Sequence, residues 1–435
     1  MSRFKTLFFL HFITCFFVSA QEKLILEDAI SLALQNNYDL RIAKNDVEIA
    51  RKEAELLNSG YLPTLSANGG VDYSDENQDV TFSDETTTSV DGAVTESYNA
   101  SITAEYTLFD GMERKFNQDK NEGNLRLSEF QERQQIENTV ISVYEHYFDV
   151  AYQAQVVENL KVNIENSKDR LVRAQKKLKY GQGTTLDELN SQVDLNNDSI
   201  SYASALRDLN NFKRNLNLLL GREVNTKFEP DTLVTFLPKL SPDDILDNAE
   251  KNNIQTVLAK QNILLSDLDI KINKAKYLPK IKGNGSYSWS ESQNPPTSFA
   301  LTNEALGYSL GLNLSWNIFD GGTTATKIKT AKISKQNREI ELFQAQEQLR
   351  VDIFNAYEEY TNAIFTLSAE NKSVTTNELN FERTKKQYAL GQVTAIDFRQ
   401  AQINLLDARN NYARAKYDLK IAEINLQQLG GFLLS

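Results

Sequence analysis

Few side chains in this sequence are suited to covalent or acid–base chemistry. Beyond residue 20 the only histidine is His146, and the chain has no cysteine, glycine-rich phosphate loop or Gly-x-Ser-x-Gly elbow there. His146 falls beside Tyr147 in a region of helical periodicity, where we expect a packed or solvated residue rather than a catalytic base. The sequence therefore argues against an enzyme, and we expect neither a catalytic residue nor a bound cofactor.

Carboxylates form a more regular pattern. Asp187 and Asp397 each lie six residues after a glycine, Gly181 and Gly391 respectively, and the two motifs are spaced 210 residues apart. A carboxylate in such a turn can interact with a cation or stabilise the N-terminus of the next helix. The segment 75–96 holds seven acidic residues, but the Asp-x-Asp-x-Asn-Gly pattern of a calcium loop is absent, so we expect no metal site.

Both carboxylate motifs belong to a repeat that extends through the chain. Two three-residue landmarks recur in the second half: Tyr61-Leu62-Pro63 as Tyr277-Leu278-Pro279, and Phe109-Asp110-Gly111 as Phe319-Asp320-Gly321. The shift is 216 residues for the first landmark and 210 for the second, so one loop differs by six residues. This period is too long for a solenoid unit and indicates a duplicated module. We place repeat 1 at 21–221, a linker at 222–242 and repeat 2 at 243–431.

The first twenty residues predict a secretory signal peptide. Arg3 and Lys5 precede an apolar run, and Val18-Ser19-Ala20 supplies a small-residue cleavage site. Cys15 lies within the apolar run and is expected to be removed with it, which leaves a mature chain without disulfides. The alternative is a lipoprotein in which Cys15 carries the lipid.

The charge of the chain limits its partners. Of 47 basic residues, Arg3 and Lys5 are in the predicted signal peptide, which leaves 45 against 59 acidic residues and a net charge of −14. Because nucleic acids and anionic membrane surfaces attract basic proteins, neither is expected as a partner.

Four stretches of the sequence alternate strictly between apolar and polar residues: 62–76, 97–109, 278–291 and 306–319. A half-buried sheet shows the same alternation, but four such stretches in an exported chain that has no run of about 18 apolar residues favour membrane-spanning strands. Four strands cannot close a barrel, and open sheet edges are not tolerated in lipid. We therefore expect a barrel shared between chains, with the loops 75–96 and 291–305 at its outer face.

Between the strand pairs the periodicity becomes helical. Apolar residues recur every three to four positions in proline-free runs at 112–180 and 323–388, which is typical of coiled-coil packing. A helix of that length would extend about 100 Å. Shorter helices are predicted at 186–220 and 396–429, and others at Glu27–Leu62 and Asp243–Leu278. The expected fold is mainly α, with long antiparallel helices and a membrane β-barrel portion.

The order of these landmarks resembles the TolC family of outer-membrane efflux proteins. The resemblance extends from about Leu24 to Gly431 and rests on the tandem repeat, the Tyr-Leu-Pro entries, the Phe-Asp-Gly exits and the Gly-x5-Asp turns. It implies a homotrimer whose twelve strands form one barrel in outer-membrane lipid, continued by a helical tunnel across the periplasm. It also implies service in tripartite efflux or type I secretion, with a periplasmic adaptor and an inner-membrane transporter as partners.

The resemblance assigns roles to residues near the two glycine turns. Asp397 matches an aspartate that forms a ring at the closed periplasmic aperture, and Gln400 stands where a second aspartate is usual. Tyr388 and Asp187 match a pair that bridges neighbouring helices in the closed state. Val393 replaces an arginine that adds a second bridge.

Two dipeptides in these turns match the positions on which adaptor hairpins dock. They are Gly181-Gln182 and Gly391-Gln392. Each glycine would also serve as a helix C-cap, a role that is compatible with docking.

One other class of protein has long heptad-rich helices, namely a trimeric coiled-coil adhesin or envelope spacer with no conducting role. An adhesin keeps its anchor strands at one end of the chain, whereas the alternating stretches here recur in each half. A spacer passes no ions, so conductance separates the two classes.

Overall fold

The computed structural model describes residues 22–238 and 241–434. The predicted signal peptide at 1–20, with Cys15, lies outside the described residues. Within the described ranges, none of the helices has the length and apolar character needed to cross a bilayer.

The two halves of the chain contain the same elements in the same order, and the fold is mainly helical, as predicted. Repeat 1 comprises α1 (Leu26–Asn36), α2 (Tyr38–Glu53), β2 (Thr64–Thr81), β3 (Thr87–Phe109), α3 (Glu113–Lys179) and α4 (Thr185–Leu219). Repeat 2 comprises α5 (Pro242–Asn252), α6 (Ile254–Ala275), β5 (Lys280–Gln293), β6 (Thr302–Ser315), α7 (Thr323–Ala389) and α8 (Ala395–Leu429). Two short strands, β1 (Glu22–Leu24) and β4 (Phe228–Pro230), and a 3-10 helix at Leu56–Asn58 lie outside this pattern.

The four long strands form one antiparallel sheet in the order β2-β3-β5-β6. The strands from the two repeats meet at the β3–β5 pairing, where Ile102 lies opposite Tyr287. Strands β2 and β6 are therefore the outer strands. Large apolar side chains on these two strands are exposed, including Leu65, Leu310 and Leu312, which are 75%, 82% and 77% exposed. Exposed apolar side chains of this size need a partner or a membrane to cover them.

The first hairpin is longer than the sequence indicates, so the predicted loop at 75–96 is wrong. Strand β2 continues to Thr81 and β3 begins at Thr87, with a register shift between Glu76 and Gln78. Backbone pairing needs no apolar alternation, so polar and acidic residues extend the ladder here. In the second hairpin β6 ends at Ser315, before the predicted end of that strand at 319.

Each of the two predicted N-terminal helices is interrupted by an asparagine. Asn37 separates α1 from α2, and Asn253 separates α5 from α6. The Asn37 side chain donates a hydrogen bond to the Leu219 carbonyl at 2.8 Å, and Asn253 donates to the Leu429 carbonyl at 3.1 Å. These bonds satisfy carbonyls at the ends of α4 and α8 and hold the two helix breaks against those ends.

The described chain divides into two compact units, and each contains parts of both repeats. The first unit comprises the residues up to Tyr38, those from Ile136 through the linker, and Asn355–Gln427. The second comprises Asp39–Gln135, the residues from Ser241 to Phe354, and the residues from Gln428 onward.

The core of the first unit surrounds Tyr147, which is 1% exposed. Its hydroxyl donates to the Leu24 carbonyl at 2.9 Å and accepts from the Asp231 amide at 2.9 Å. Burial raises the pKa of Tyr147 to about 12, so the phenol stays neutral. Strands β1 and β4 pair in parallel beside it. The otherwise irregular linker is thereby attached to the N-terminal segment.

The second unit contains the sheet and the helix starts that follow it. Arg114 in the first turn of α3 contacts Asp110 at 2.7 Å, and its guanidinium lies 4.8 Å from the centre of the Tyr61 ring. The arginine therefore joins the end of β3 to the entrance of β2. In repeat 2 the corresponding Asp320 accepts from the Thr324 amide at 2.8 Å, as Asp110 does from the Arg114 amide, but a threonine takes the place of the arginine.

Candidate functional site

The candidate site consists of two five-residue turns in the first unit, which we call the tip turns: 180–184 between α3 and α4, and 390–394 between α7 and α8. In each turn a glycine has positive φ, +70° at Gly181 and +74° at Gly391. The amides of Gln182 and Gln392 bond back to the carbonyls of Lys177 and Gln387 at 2.8 and 2.9 Å. These are Schellman caps, so both glycines end helices.

The tip turns are open on their outer side. A Cβ added to Gly181 or Gly391 would meet nothing within 4 Å. Gln182 and Gln392 are exposed. All four residues that the sequence assigns to adaptor docking therefore lie on an accessible surface of this unit.

Asp187 and Asp397 begin the helices that follow the tip turns. The Asp397 carboxylate accepts hydrogen bonds from the Thr394 hydroxyl and amide at 2.7 and 3.0 Å, while the Asp397 amide donates to the Thr394 hydroxyl at 3.2 Å. Asp187 makes the same capping box with Thr184. The hydrogen bonds from Thr394 lower the pKa of Asp397 below its ordinary value. Both aspartates are exposed, so a helix-capping role leaves the charge of Asp397 available to solvent.

Tyr388 is packed within its own chain. Its ring stacks on Phe398 with centroids 5.0 Å apart, and Lys177 Nζ lies 4.9 Å from the ring centre. Burial raises the pKa of Tyr388. Within residues 22–238 and 241–434 its hydroxyl does not bond Asp187, whose carboxylate accepts from Thr184 instead. Val393 packs at the edge of the same aromatic cluster.

A group of buried and partly buried charges near the tip turns was not expected from the sequence. Arg399 on α8 forms two hydrogen bonds with Asp198 on α4, both at 2.8 Å. Arg170 on α3 pairs with Asp194 on α4, which also lies 3.8 Å from Arg399. We call Arg170, Asp194, Asp198 and Arg399 the charge network. It ties α8 of repeat 2 to α3 and α4 of repeat 1.

Polar side chains extend the charge network. Ser167 on α3 donates to Asp198 at 2.5 Å and accepts from Gln402 on α8 at 2.9 Å. Gln402 also donates to the Asn163 side chain at 2.7 Å. Arg170 is 2% exposed and Asp198 is 5% exposed, so these groups are desolvated. Removing one partner of a buried ion pair typically costs about 3–5 kcal/mol, because the other charge stays buried.

The sequence contains one signal for the α4 side of the charge network. Asp194 and Asp198 are four residues apart and therefore share a face of α4. Their counterparts 210 residues later are Asn404 and Ala408, and the counterpart of Arg399 is Leu189. The ionic residues are therefore present on one side of the repeat only, so the charge network is not a feature that the two repeats share.

Comparisons with known proteins agree with this architecture. The family model described as outer membrane efflux protein matches residues 29–222 and 245–431. The outer membrane efflux protein BepC of Brucella suis is 21% identical over 406 residues, covering 93% of this chain and 85% of BepC. The alkaline protease secretion protein AprF of Pseudomonas aeruginosa is 23% identical, covering 94% of this chain and 84% of AprF.

A solved structure shares the fold. The crystal structure of CusC superposes with a TM-score of 0.74 at 18% identity, covering 93% of this chain and 92% of the CusC chain. The predicted resemblance to the TolC family is confirmed by the family match, which falls on both repeats. The chain therefore belongs to the outer membrane efflux protein family, and it is a non-enzymatic outer-membrane channel with a periplasmic extension.

Proposed function

We propose that three copies of this chain form a passive export duct through the outer membrane and periplasm, which opens when an adaptor and a transporter dock at the tip turns. The observation that carries this proposal is the four-stranded sheet. Its outer strands β2 and β6 expose large apolar side chains and have free edges that further copies can pair with. Three copies supply twelve strands, enough to close a barrel.

The experiment that tests the duct is conductance. Protein purified in detergent should be a trimer by light scattering with the micelle subtracted, and it should form discrete ion-conducting channels in planar bilayers. A trimeric adhesin or spacer would give the same light-scattering mass without conductance. A monodisperse monomer, or a trimer that never conducts, would rule the duct out.

The system served by the duct is either efflux or type I secretion. The matched relatives include one named as an efflux protein and one named as a protease secretion protein. Deleting the gene and measuring both drug and metal susceptibility and the secreted proteome would separate the two. If the deletion removes secreted polypeptides and leaves susceptibility unchanged, the duct serves secretion. If susceptibility rises and the secreted proteome is unchanged, the duct serves efflux.

Asp397 is proposed to line the aperture. Three exposed carboxylates around a narrow mouth favour cations and bind multivalent ones. Asp397→Ala should therefore lower cation preference and weaken block by multivalent cations in planar bilayers. Asp397→Asn is the matched control, because it removes the charge but keeps a side-chain oxygen that can accept from Thr394. Wild-type selectivity and block in Asp397→Asn would mean that Asp397 acts only as a cap.

The hydrogen bonds from Thr394 set the pH dependence of that block. Because they depress the pKa of Asp397, the carboxylate stays charged, and its cap stays favourable, until the pH falls through that lowered value. Block should persist at mildly acidic pH in the wild type. In Thr394→Val it should be lost at a higher pH, since the pKa returns toward its ordinary value. If block is lost at the same pH in Thr394→Val as in the wild type, Asp397 does not line the aperture.

Tyr388 and Asp187 are proposed to form a closed-state latch between neighbouring helix pairs of the assembled tip. A phenol–carboxylate bond is worth about 1.5–3 kcal/mol, and the trimer repeats it three times. Tyr388→Phe should raise single-channel conductance because it removes only the hydroxyl. Phe398→Leu is the control, since it disturbs the same aromatic stack but keeps the hydroxyl. Unchanged conductance in Tyr388→Phe would eliminate the latch.

A further inference from the structure

We propose that a groove on the apolar face of the sheet binds an acyl chain of a phospholipid, and that Arg114 contacts the phosphate of the same molecule. The phospholipid belongs to the periplasmic leaflet of the outer membrane, and each chain binds one. This inference rests on the proposed barrel, which turns the apolar face of the sheet toward lipid.

The floor of the groove is made of very small residues. The groove has a volume of about 600 Å³, and Ala104, Gly283 and Gly285 line it. Ala104 on β3 lies opposite Gly285 on β5, and Tyr106 lies opposite Gly283. A Cβ added at Gly283 would lie 3.6 Å from Leu312 Cδ2, so a side chain there would occupy the groove. The floor is open because these positions have little or no side chain, and its volume is in the range of small-ligand sites.

Larger apolar side chains form the walls. Tyr106 on β3 stands on one side of the groove, and Leu310 and Leu312 on β6 stand on the other. These residues belong to the alternating set that the barrel presents to lipid, so the groove is continuous with the lipid contact. Because apolar burial is non-directional, an acyl chain needs only a continuous apolar path of this kind.

The position of the groove along the strands identifies the leaflet. Gly283 and Gly285 are the fourth and sixth residues of β5, which begins at Lys280 where α6 ends. At a rise of about 3.3 Å per residue and a tilt of about 45°, they lie about 7–12 Å above the start of the strand. Trp316 and Tyr277, 55% and 50% exposed, lie at the helix side of this sheet, as interfacial aromatic residues do. The groove is therefore in the periplasmic half of the bilayer.

Arg114 lies at the periplasmic end of the groove. Its guanidinium carbon is 5.9 Å from the centre of the Tyr106 ring, and its side chain is 16% exposed. Nε donates to Asp110 at 2.7 Å, and Nη1 donates to the Gly60 carbonyl at 3.2 Å. Within residues 22–238 and 241–434, Nη2 has no hydrogen-bond partner. A guanidinium binds phosphate oxygens through directed, charge-assisted hydrogen bonds, so the free nitrogen suits a phospholipid phosphate.

The duplication indicates one site per chain. In the barrel the edge of β6 pairs with β2 of the next chain, which repeats the β3–β5 arrangement. At that junction Leu314 stands where β3 has Ala104, and Thr324 stands where α3 has Arg114. The leucine fills the floor, and the threonine provides no cation. A trimer should therefore bind three phospholipids rather than six.

Native mass spectrometry of the full-length trimer tests the inference. Delipidated wild-type trimer, incubated with palmitoyl-oleoyl phosphatidylethanolamine, should retain up to three molecules. Ala104→Leu places the repeat 2 residue in the floor and should reduce retention about tenfold. Gly283→Val fills the floor from the neighbouring strand and should have the same effect even if the first variant does not assemble. Ala67→Leu is the matched control, because it adds the same carbons to the apolar face outside the groove and should retain wild-type binding.

The phosphate contact has its own readout, the preference for phosphatidylethanolamine over a diacylglycerol with the same acyl chains. The wild-type trimer should prefer the phospholipid about tenfold. Arg114→Gln should bind the two lipids equally. If Arg114 acts only through its bonds to Asp110 and Gly60, its replacement would weaken binding of both lipids together. An unchanged preference would therefore refute the phosphate contact.

Three other outcomes would overturn the inference. They are a wild-type trimer that retains no phospholipid, equal retention by Ala104→Leu and Ala67→Leu, and retention of added lipopolysaccharide in place of the phospholipid. In the last case the occupant would come from the outer leaflet. A trimer that conducts but binds no phospholipid would leave the duct intact, whereas failure to form a trimer would contradict the barrel and with it the inference.

Discussion

Replacing Gly221 with alanine should prevent the first unit from folding. Gly221 follows α4 with a φ of +64°, and a Cβ there would lie 2.3 Å from the Asn36 carbonyl oxygen. An alanine at positive φ costs about 1–2 kcal/mol by itself. The overlap with backbone forces α1 away from the end of α4 and breaks the bond from Asn37 to Leu219, so we expect a total above about 4 kcal/mol.

Matched variants separate the two contributions in this prediction. Gly181→Ala has the same positive φ but an open surrounding, so it should show the backbone strain alone. Gly431→Ala, the equivalent of Gly221 in repeat 2, places a Cβ 3.0 Å from Asn252 and should be intermediate. The yield of folded trimer and its thermal loss of helical circular dichroism are the measurements. If Gly221→Ala is as stable as Gly181→Ala, the prediction is wrong, because α1 can then shift away from the end of α4 at little cost.

Replacing Gly391 with tryptophan should abolish export while leaving the isolated channel intact. The turn is open, so the side chain has space, and the strain of positive φ costs about 1–2 kcal/mol. That cost is small beside the contacts of a trimer. A bulky ring on the surface proposed for adaptor docking would, however, keep the adaptor hairpin away from the exposed Gln392.

The measurement is export by the complete system in a strain that lacks the chromosomal gene, together with bilayer conductance of the purified variant. Gly391→Asn is the control, because asparagine tolerates positive φ and is small. It should retain most export. Gly181→Trp should behave like Gly391→Trp if both tip turns are docked. Full export by Gly391→Trp would contradict the docking assignment, and loss of conductance would show that the variant is misassembled.

The sequence predicts those elements in which the burial of one face produces a regular pattern of apolar and polar side chains. Alternation locates all four strands and heptad spacing locates the long helices, because each pattern follows from a face that must be apolar. The helix breaks at Asn37 and Asn253 produce no such pattern. They depend on the carbonyls of Leu219 and Leu429, far away in sequence, and Asn253 in addition caps the start of α6 by accepting from the Gln255 and Thr256 amides. Asparagine is a common helix cap but also occurs inside helices, so the residue type alone does not locate the break.

The candidate site was only partly predictable for the same reason. The tip glycines and their aspartates are local motifs, and the structure brings them to the helix ends that the sequence indicates. The partners Asp198 and Arg399 are 201 residues apart, so no local pattern joins them. For Tyr388, the family resemblance indicates Asp187 as the partner, whereas its packing against Phe398 is visible only in the folded chain.

The interleaving of the two units has a consequence for biogenesis. The first unit needs Leu24 beside Tyr147 and also needs Tyr417, which stacks on Phe148 with centroids 5.3 Å apart. A chain that is secreted from its N-terminus therefore cannot complete this unit until nearly the whole polypeptide has been translocated. Until then the apolar side chains around Tyr147 and Phe148 on α3 remain uncovered, a state prone to aggregation. We therefore expect the nascent chain to need a holding chaperone or rapid delivery to the insertion machinery.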